Sequence, residues 1–198
     1  MKIEEFQCIM PIENVSSVMK YGILCHELAG ALPHESIAMD SAQEKRDKIE
    51  LPDGRPLHEF ANVYFHARNP MMYCRKEKAG ELCVLKVSSG ILDIQGVWVS
   101  NGNAASRDYV KFCKPKEMGS ILDFDLIYAE RWADGFTPFG SARKHAKCAE
   151  ALVPDEILPS YITGAYVIDL IRKQKLEDKG FHMPISIDPD LFFRTVPN

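Results

Sequence analysis

The chain has 198 residues, of which 46% are hydrophobic and 26% are charged. This balance is typical of one globular domain that buries a substantial core, although two small domains would also fit. The formal net charge of −4 excludes a general electrostatic attraction to polyanions, so any binding of nucleic acid requires a local basic patch.

Several classes of protein are disfavoured by simple patterns. No apolar run approaches the roughly 18 residues of a membrane span, and residues 1–5 lack the apolar core of a signal peptide. The six cysteines include no Cys-x-x-Cys pair, and the six histidines have no metal-ligand spacing. We therefore predict a cytoplasmic protein with free, mostly buried thiols and no metal site.

The first predicted elements are a strand and a short helix. Residues 6–10 are mainly apolar and Pro11 ends them, which indicates a strand. Apolar residues then recur at positions 15, 18, 19 and 23, the spacing of one helix face. Asn14 is a suitable N-cap for this helix, and Gly22 is a suitable stop.

The next segment predicts little regular structure until residue 63. Residues 26–40 lack periodicity and indicate a long loop, and the polar residues 41–48 predict a solvated helical turn. Residues 52–54 (Pro-Asp-Gly) predict a turn.

Residues 63–73 combine apolar, aromatic, cationic and turn-forming side chains. Residues 63–65 predict a buried strand, and Asn69-Pro70 is expected to stop any strand or helix. Residues 71–73 (Met-Met-Tyr) are too apolar for a solvated loop. They either pack beneath a neighbouring element or line a pocket for a flat ligand, and the residues alone leave both interpretations open.

The second half of the chain predicts strands in series with few long helices. Strands are predicted at residues 81–87 and 97–99, followed by a turn at 100–105 and a helix that ends near Pro115. An apolar segment at 121–128, a loop at 132–140 and a basic segment at 143–147 come next. The chain then has an apolar run at 148–153, a closing strand at 161–169 and a polar tail that is expected to be peripheral. This order favours an α+β domain over a doubly wound parallel sheet, and we expect a single domain over residues 1–198.

Two charged residues are candidates for chemistry. Glu150 lies within an apolar run, where a carboxylate is costly unless it is paired, hydrogen-bonded or placed at a cavity. The alternation of this run would equally allow Glu150 to point into solvent. Arg46 lies in a run of mixed charges, which is usually a solvated face.

Three blocks of sequence resemble the DarT family of DNA ADP-ribosyltransferase toxins. The blocks are residues 64–73 (Tyr-Phe-His-Ala-Arg-Asn-Pro-Met-Met-Tyr), residues 100–104 (Ser-Asn-Gly-Asn-Ala) and residues 149–153 (Ala-Glu-Ala-Leu-Val). Residues 12–24 resemble the family's first block. Together the blocks extend from about residue 6 to residue 157, and their order is more specific than any one of them.

The resemblance implies an ADP-ribosyltransferase-like fold with a split, mainly antiparallel sheet that holds NAD+ as co-substrate. It implies transfer of ADP-ribose to a base of single-stranded DNA, in the toxin of a toxin–antitoxin pair whose antitoxin is a macrodomain protein. Glu150 matches the family's catalytic glutamate. Arg46 is the best candidate for its catalytic arginine, and Arg55 is the alternative because the spacing there is not fixed.

The remaining site residues also follow from the resemblance. The residues expected to bind NAD+ are Met10, Asn14, Gly22, Tyr64, Met71 and Tyr73. The residues expected to contact nucleic acid are Arg68, Arg75, Lys144, His145 and Lys147. A glutamate at the ribose would stabilise the positive charge that develops when the nicotinamide bond breaks, and it could take a proton from the acceptor base. An arginine would orient a carbonyl or phosphate, and the aromatic residues would stack on flat rings.

The chain departs from the family pattern at several positions. A His-x-Thr-His run is replaced by residues 8–11 (Cys-Ile-Met-Pro), and Asn101 replaces an aspartate. Lys147-Cys148 replaces Arg-Gln, and Ala151 replaces an aromatic residue. The first change removes a side-chain contact to the nicotinamide amide, which backbone groups could still bind. The other changes concern the acceptor more than the NAD+ cleft, so RNA or protein remains an alternative acceptor. A catalytically inactive module that binds nucleotide or nucleic acid is the alternative from another class.

Overall fold

The computed structural model describes residues 3–38, 40–106, 109–131 and 139–194. The strands within these ranges are β1 (Glu5–Pro11), β2 (Ile23–Leu24), β3 (Phe60–Tyr64), β4 (Leu82–Ser88), β5 (Trp98–Ser100), β6 (Phe112–Cys113), β7 (Glu150–Pro154), β8 (Glu156–Ile157), β9 (Ile162–Val167) and β10 (Ile185–Ile187). The α-helices are α1 (Val15–Tyr21), α2 (His26–Ala29), α3 (Asp40–Arg46), α4 (Pro70–Cys74), α5 (Phe124–Tyr128), α6 (Phe139–Ala146) and α7 (Leu170–Asp178).

Eight of the described strands form one sheet in the order β10-β9-β4-β1-β3-β7-β5-β6, while β2 pairs with β8. Strands β9 and β10 are parallel, and the other neighbouring pairs are antiparallel. The helices are short, and none within the described ranges is long and apolar enough to cross a membrane. The prediction of an α+β fold with a mainly antiparallel sheet is confirmed.

The sheet is split between β1 and β3. Strand β1 pairs with β4 over its whole length, from Glu5 to Pro11. Between β1 and β3, by contrast, the described residues give one matched pair, Gln7 opposite Tyr64. The two strands therefore diverge beyond this pair and leave an opening between the halves of the sheet.

Side chains of alternate residues pack on the two faces of the sheet, as the pleat requires. On β4, Cys83 and Leu85 join the larger core, whereas Leu82 and Val84 join a smaller core on the opposite face. All four are almost completely buried. This burial on both faces explains why the sequence of β4 is a continuous apolar run.

The predicted opening of the fold is confirmed in its elements. Strand β1 and helix α1 form where expected, and Gly22 ends α1 with a φ of 88°. A Cβ at Gly22 would lie 2.5 Å from the carbonyl oxygen of Ile157, so glycine is required there for space as well as for conformation. The predicted N-cap position is confirmed at Asn14, although the Asn14 side chain makes no capping hydrogen bond to α1.

Other predictions are wrong for identifiable reasons. The helix expected after residue 105 is absent from the described residues, where β6 instead returns to pair with β5. Pro70 does not stop a helix but begins α4, because Asn69 accepts a hydrogen bond from Met72 N–H and proline suits the first helical position.

The tail expected to be peripheral contributes to both cores. Leu176 and Phe181 are buried in the larger core, and Leu191 and Phe192 are buried in the smaller one. The polar residues that suggested a peripheral tail occupy the exposed face of α7, so the pattern was correct for one face only. Most of the loop predicted at residues 132–140 lies outside the described residues.

Candidate active site

A cavity of about 490 Å³ occupies the opening between β1 and β3. Its wall includes Met10 from β1 and Tyr64 from β3, which lie on the two sides of the split. Helix α3, helix α4 and the start of β7 also contribute to the wall. The volume lies within the usual range for cofactor and small-molecule sites, and it suits a dinucleotide such as NAD+.

Glu150 is the first residue of β7 and lies inside this cavity. It pairs with Tyr64 of β3 on one side and with Ser100 of β5 on the other, so its backbone is fixed between two strands. Its exposure is 1%, and Ala104 N–H donates to its Oε1 over 3.0 Å. The structure thus places Glu150 at a cavity with hydrogen-bond partners, and not on a solvated face.

Arg46, the last residue of α3, faces Glu150 across the cavity. Its Nη1 lies 3.4 Å from both carboxylate oxygens, and 13% of its side chain is exposed. Arg55 has different partners, because it donates to Glu59 over 2.6 Å and to Asp155 over 2.7 Å. The structure therefore brings Arg46, and not Arg55, to the glutamate.

Tyr64 and Met71 also line the cavity, as does Met10. Burial and the neighbouring Glu150 carboxylate raise the pKa of the Tyr64 phenol well above its ordinary value of 10. Tyr64 is therefore a neutral aromatic wall that can also donate a hydrogen bond.

Asn14 and Arg75 line the cavity, and both hold the same loop. The Asn14 side chain donates to Glu35 O and accepts from Glu35 N–H, over 2.8 and 3.0 Å. Arg75 Nε donates to Ile37 O over 2.8 Å. These contacts fix residues 35–37 along the edge of the cavity, where Glu35 and Ile37 also contribute to the wall.

The six other candidate residues that were expected to bind NAD+ or nucleic acid have mixed positions. Of the basic residues, Lys144 is exposed and lines the cavity. The candidates outside the described cavity wall are Gly22, Arg68, Tyr73, His145 and Lys147.

Two of these residues have structural contacts beside α4. Arg68 donates to Asp190 O over 3.0 Å and to Glu130 O over 2.8 Å, and its guanidinium lies 4.4 Å from the centre of the Phe193 ring. Tyr73 packs edge-on against the same ring. Both residues therefore hold the C-terminal segment against the body of the protein.

Lys147 is buried, with 1% exposure, although it was expected at a basic surface. Its Nζ lies 3.3 Å from Nδ1 of His66. Burial and the charge of Arg68 lower the pKa of Lys147 to about 8, and burial and the charge of Lys147 lower the pKa of His66 to about 4. The pair is a buried cation beside a neutral imidazole.

The second sequence block supports Glu150 in a way that was missed. Ser100 donates its hydroxyl to Gly102 O over 2.7 Å, and Asn103 accepts a hydrogen bond from Ala105 N–H. These bonds shape the turn so that the Ala104 amide points at the carboxylate. The block itself was the available signal, but a backbone donor carries no side-chain signature.

No group of three or more His, Cys, Asp and Glu side chains that could hold a metal ion occurs within the described ranges.

Comparison with known proteins identifies the family. The family model described as "ssDNA thymidine ADP-ribosyltransferase, DarT" matches residues 8–193. The chain belongs to the DarT family. The family resemblance noted in the sequence is thereby confirmed, and the match covers nearly the whole chain.

Two relatives show how far the likeness extends. A DNA ADP-ribosyl transferase–DNA ADP-ribosyl glycohydrolase fusion protein of Thermosipho africanus is 31% identical over 208 residues, which cover 100% of this chain and 51% of that protein. The chain therefore spans about half the length of the fusion protein. A DNA ADP-ribosyl transferase of Mycobacterium tuberculosis is 31% identical over 199 residues, which cover 91% of this chain and 85% of the relative.

Solved DarT structures share the fold. The structure of Thermosipho africanus DarTG in complex with ADP-ribose matches with a TM-score of 0.85 at 28% identity, over 96% of this chain and 51% of that one. Thermus sp. 2.9 DarT in complex with ADP-ribosylated ssDNA matches with a TM-score of 0.80 at 22% identity, over 96% of both chains. The expected ADP-ribosyltransferase-like fold is confirmed.

Proposed function

We propose that this chain is an NAD+-dependent ADP-ribosyltransferase that modifies thymidine in single-stranded DNA. The observation that carries the proposal is the pairing of Arg46 with a buried Glu150 inside a cavity of dinucleotide size. The family to which the chain belongs is described by this reaction.

In the proposed reaction, the bond between nicotinamide and ribose C1′ breaks and its electron pair leaves with nicotinamide. Positive charge develops on the ribose, and the almost completely buried Glu150 carboxylate stabilises it. A ring nitrogen of the base then bonds to C1′. In thymidine this nitrogen is the one that carries a proton, and Glu150 accepts that proton.

Arg46 supports this step without being consumed. Its guanidinium lies beside the carboxylate and can hold a carbonyl or phosphate oxygen of the acceptor, so that the base faces C1′. Tyr64 and Met71 offer flat apolar surface to a ring. Exposed Lys144 is the basic residue best placed to contact a DNA phosphate at the edge of the cavity, and Arg75 is the second.

The biological setting is part of the proposal. One relative joins a transferase to a DNA ADP-ribosyl glycohydrolase in a single chain. We infer that this chain is likewise paired with a glycohydrolase, of the macrodomain class, as the toxin of a toxin–antitoxin system in the cytoplasm. The site draws on residues from Cys8 to Glu150, which supports the expected organisation of one domain.

The test is transfer from labelled NAD+ to separate pools of thymidine-containing single-stranded DNA, thymidine-free DNA, RNA and lysate protein. We expect label on the first pool. Label confined to RNA or protein would show that the acceptor is RNA or protein and not DNA. NAD+ binding without nicotinamide release would indicate an inactive binding module. Arg46→Lys should lose at least tenfold in rate, because a lysine cannot form the guanidinium contacts, whereas Arg55→Lys should stay within about threefold of the wild type.

A further inference from the structure

The imidazole of His58 lies against the helix that carries Arg46. Its Nε2 is 3.0 Å from Oε1 of Gln43, and its Nδ1 is 3.7 Å from Oδ1 of Asp47. Gln43 is in α3, and Asp47 immediately follows the helix. The His58 ring therefore lies beside Gln43 and Asp47, which come before and after Arg46 along the helix.

The spacing of these contacts fixes the helix. Asp47 N–H donates to Gln43 O over 2.9 Å, so the helical turn continues through residue 47 and places both side chains on one face. The hydrogen bond to Gln43, with the ring also lying beside Asp47, therefore fixes the rotation and the height of the turn that contains Arg46. The 3.4 Å contacts between Arg46 and Glu150 are long, so small helix movements would break them.

His58 is itself held from two directions. It belongs to the 3-10 helix Leu57–Glu59, which leads directly into β3, the strand that pairs with the Glu150 strand β7. On its other side the ring packs against the ring of His26 from α2, with 4.3 Å between ring centres. His58 therefore links the arginine helix to the framework that carries the glutamate.

We propose that His58 is a positioning residue that holds Arg46 against Glu150 by fixing α3 to the start of β3. The role assumes the proposed transferase function, but the anchoring of α3 does not depend on it. His58 also lines the cavity, and the role proposed for it is exerted through Arg46, by way of its contacts with Gln43 and His26.

The charges around the ring are consistent with a neutral imidazole. Burial lowers the pKa of His58 from 6.5, and the neighbouring His26 and Arg46 lower it further, while Asp47 acts in the opposite direction. A neutral ring protonated on Nε2 can donate to Gln43 at neutral pH, and its unprotonated Nδ1, 3.7 Å from Asp47, then makes no hydrogen bond there. This state adds no second positive charge beside Arg46.

Three variants of the full chain test the proposal. His58→Phe keeps a ring against His26 but removes the hydrogen bond to Gln43. His58→Gln restores a donor that can reach Gln43. Glu44→Gln changes an exposed residue of α3 and is the matched control.

The first measurement is hydrogen exchange of the α3 amides, which needs no catalysis. We expect faster exchange in α3 for His58→Phe, recovery in His58→Gln and no change in Glu44→Gln, with the amides of β3 and β7 unchanged in all three. Unchanged α3 exchange in His58→Phe would overturn the proposal, whether or not the wild-type protein transfers ADP-ribose.

The second measurement is the steady-state rate of transfer, in the wild-type and Arg46→Ala backgrounds. We expect His58→Phe to lower kcat by about tenfold to a hundredfold in the first background, with the KM for NAD+ within about twofold. In the Arg46→Ala background the same change should have little further effect. An equal loss in both backgrounds would indicate a general structural defect and would contradict the positioning role. An inactive wild-type protein would refute the transferase function alone.

Discussion

Replacing Glu150 by glutamine separates the chemical role of this residue from its structural role. The amide has nearly the same volume as the carboxylate, and its oxygen can still accept the hydrogen bond from Ala104 N–H. What disappears is the negative charge within a site where the glutamate has 1% exposure.

The structure sets the expected magnitudes. Arg46 reaches both oxygens at 3.4 Å, beyond the usual range for a good N–H···O bond, so the ion pair contributes little net stability. We expect the free energy of unfolding to change by no more than about 1 kcal/mol, or about 2–4 °C in Tm for a chain of this size. Loss of a preorganised charge at the reacting centre should lower kcat by about 100- to 1000-fold, which corresponds to about 2.7–4 kcal/mol.

The assay compares the rate of nicotinamide release and DNA labelling with thermal unfolding of the same preparations. Glu156→Gln is the matched control, because Glu156 is a carboxylate of the next strand β8 and lies outside the described cavity wall. It should keep wild-type activity. Near wild-type transfer by Glu150→Gln would refute the role assigned to the carboxylate, and a large loss of Tm would show that the glutamate is mainly structural.

Three further substitutions or conditions have defined outcomes. Gly102→Ala should lower the free energy of unfolding by about 1–3 kcal/mol and reduce kcat, because a Cβ there would clash with the His145 ring beside the Ala104 turn. Gly119→Ala has open space around its Cβ and is the control in the unfolding and rate measurements. Lys147→Met should raise the free energy of unfolding by up to about 3 kcal/mol at pH 7, since Lys147 is buried with a pKa of about 8. This gain should shrink between pH 8 and 10.5, as the buried lysine of the wild type loses its charge. A destabilised variant at pH 7 would contradict the prediction. The pKa of His66 is about 4 in the folded protein and 6.5 in the unfolded chain, so the unfolded chain binds the proton first. The free energy of unfolding should therefore fall as the pH falls from 6.5 towards 4. His66→Gln should reduce this loss in denaturant titrations, and an unchanged pH dependence would refute the assignment.

The sequence was sufficient for elements whose pattern is local. Strand β4 is a continuous apolar run and helix α1 has an apolar stripe ended by Gly22, so both were predicted. The helix expected after residue 105 failed because a long-range contact decides the outcome. Asn101 accepts a hydrogen bond from Lys111 N–H over 2.8 Å, which closes the turn and brings Phe112 back opposite Ser100.

The site was predictable only in part, for the same reason. Arg46 and Glu150 are 104 positions apart, and the charge run around Arg46 favours a solvated face when the sequence is considered alone. The family resemblance supplied their association. Neither pattern nor resemblance could indicate the Ala104 amide or the contact of His58 with α3, because both depend on how separate loops meet at the split in the sheet.

The basic residues show the limit most clearly. Lys147 and Lys144 lie in the same basic segment and were assigned the same role, yet one is buried beside His66 and the other is exposed at the cavity. Helix α6 ends at Ala146, so Lys147 lies in the following turn and its side chain does not continue the helix face that carries Lys144. Composition cannot distinguish them.

The central claim is transfer of ADP-ribose from NAD+ to thymidine in single-stranded DNA. Its most direct test is mass analysis of matched oligonucleotides, with and without thymidine, after incubation with the purified chain and NAD+. We predict a mass increase of one ADP-ribosyl group on the thymidine-containing strand, located on the base, and none with Glu150→Gln. Absence of the adduct, or equal modification of the strand that lacks thymidine, would contradict the claim.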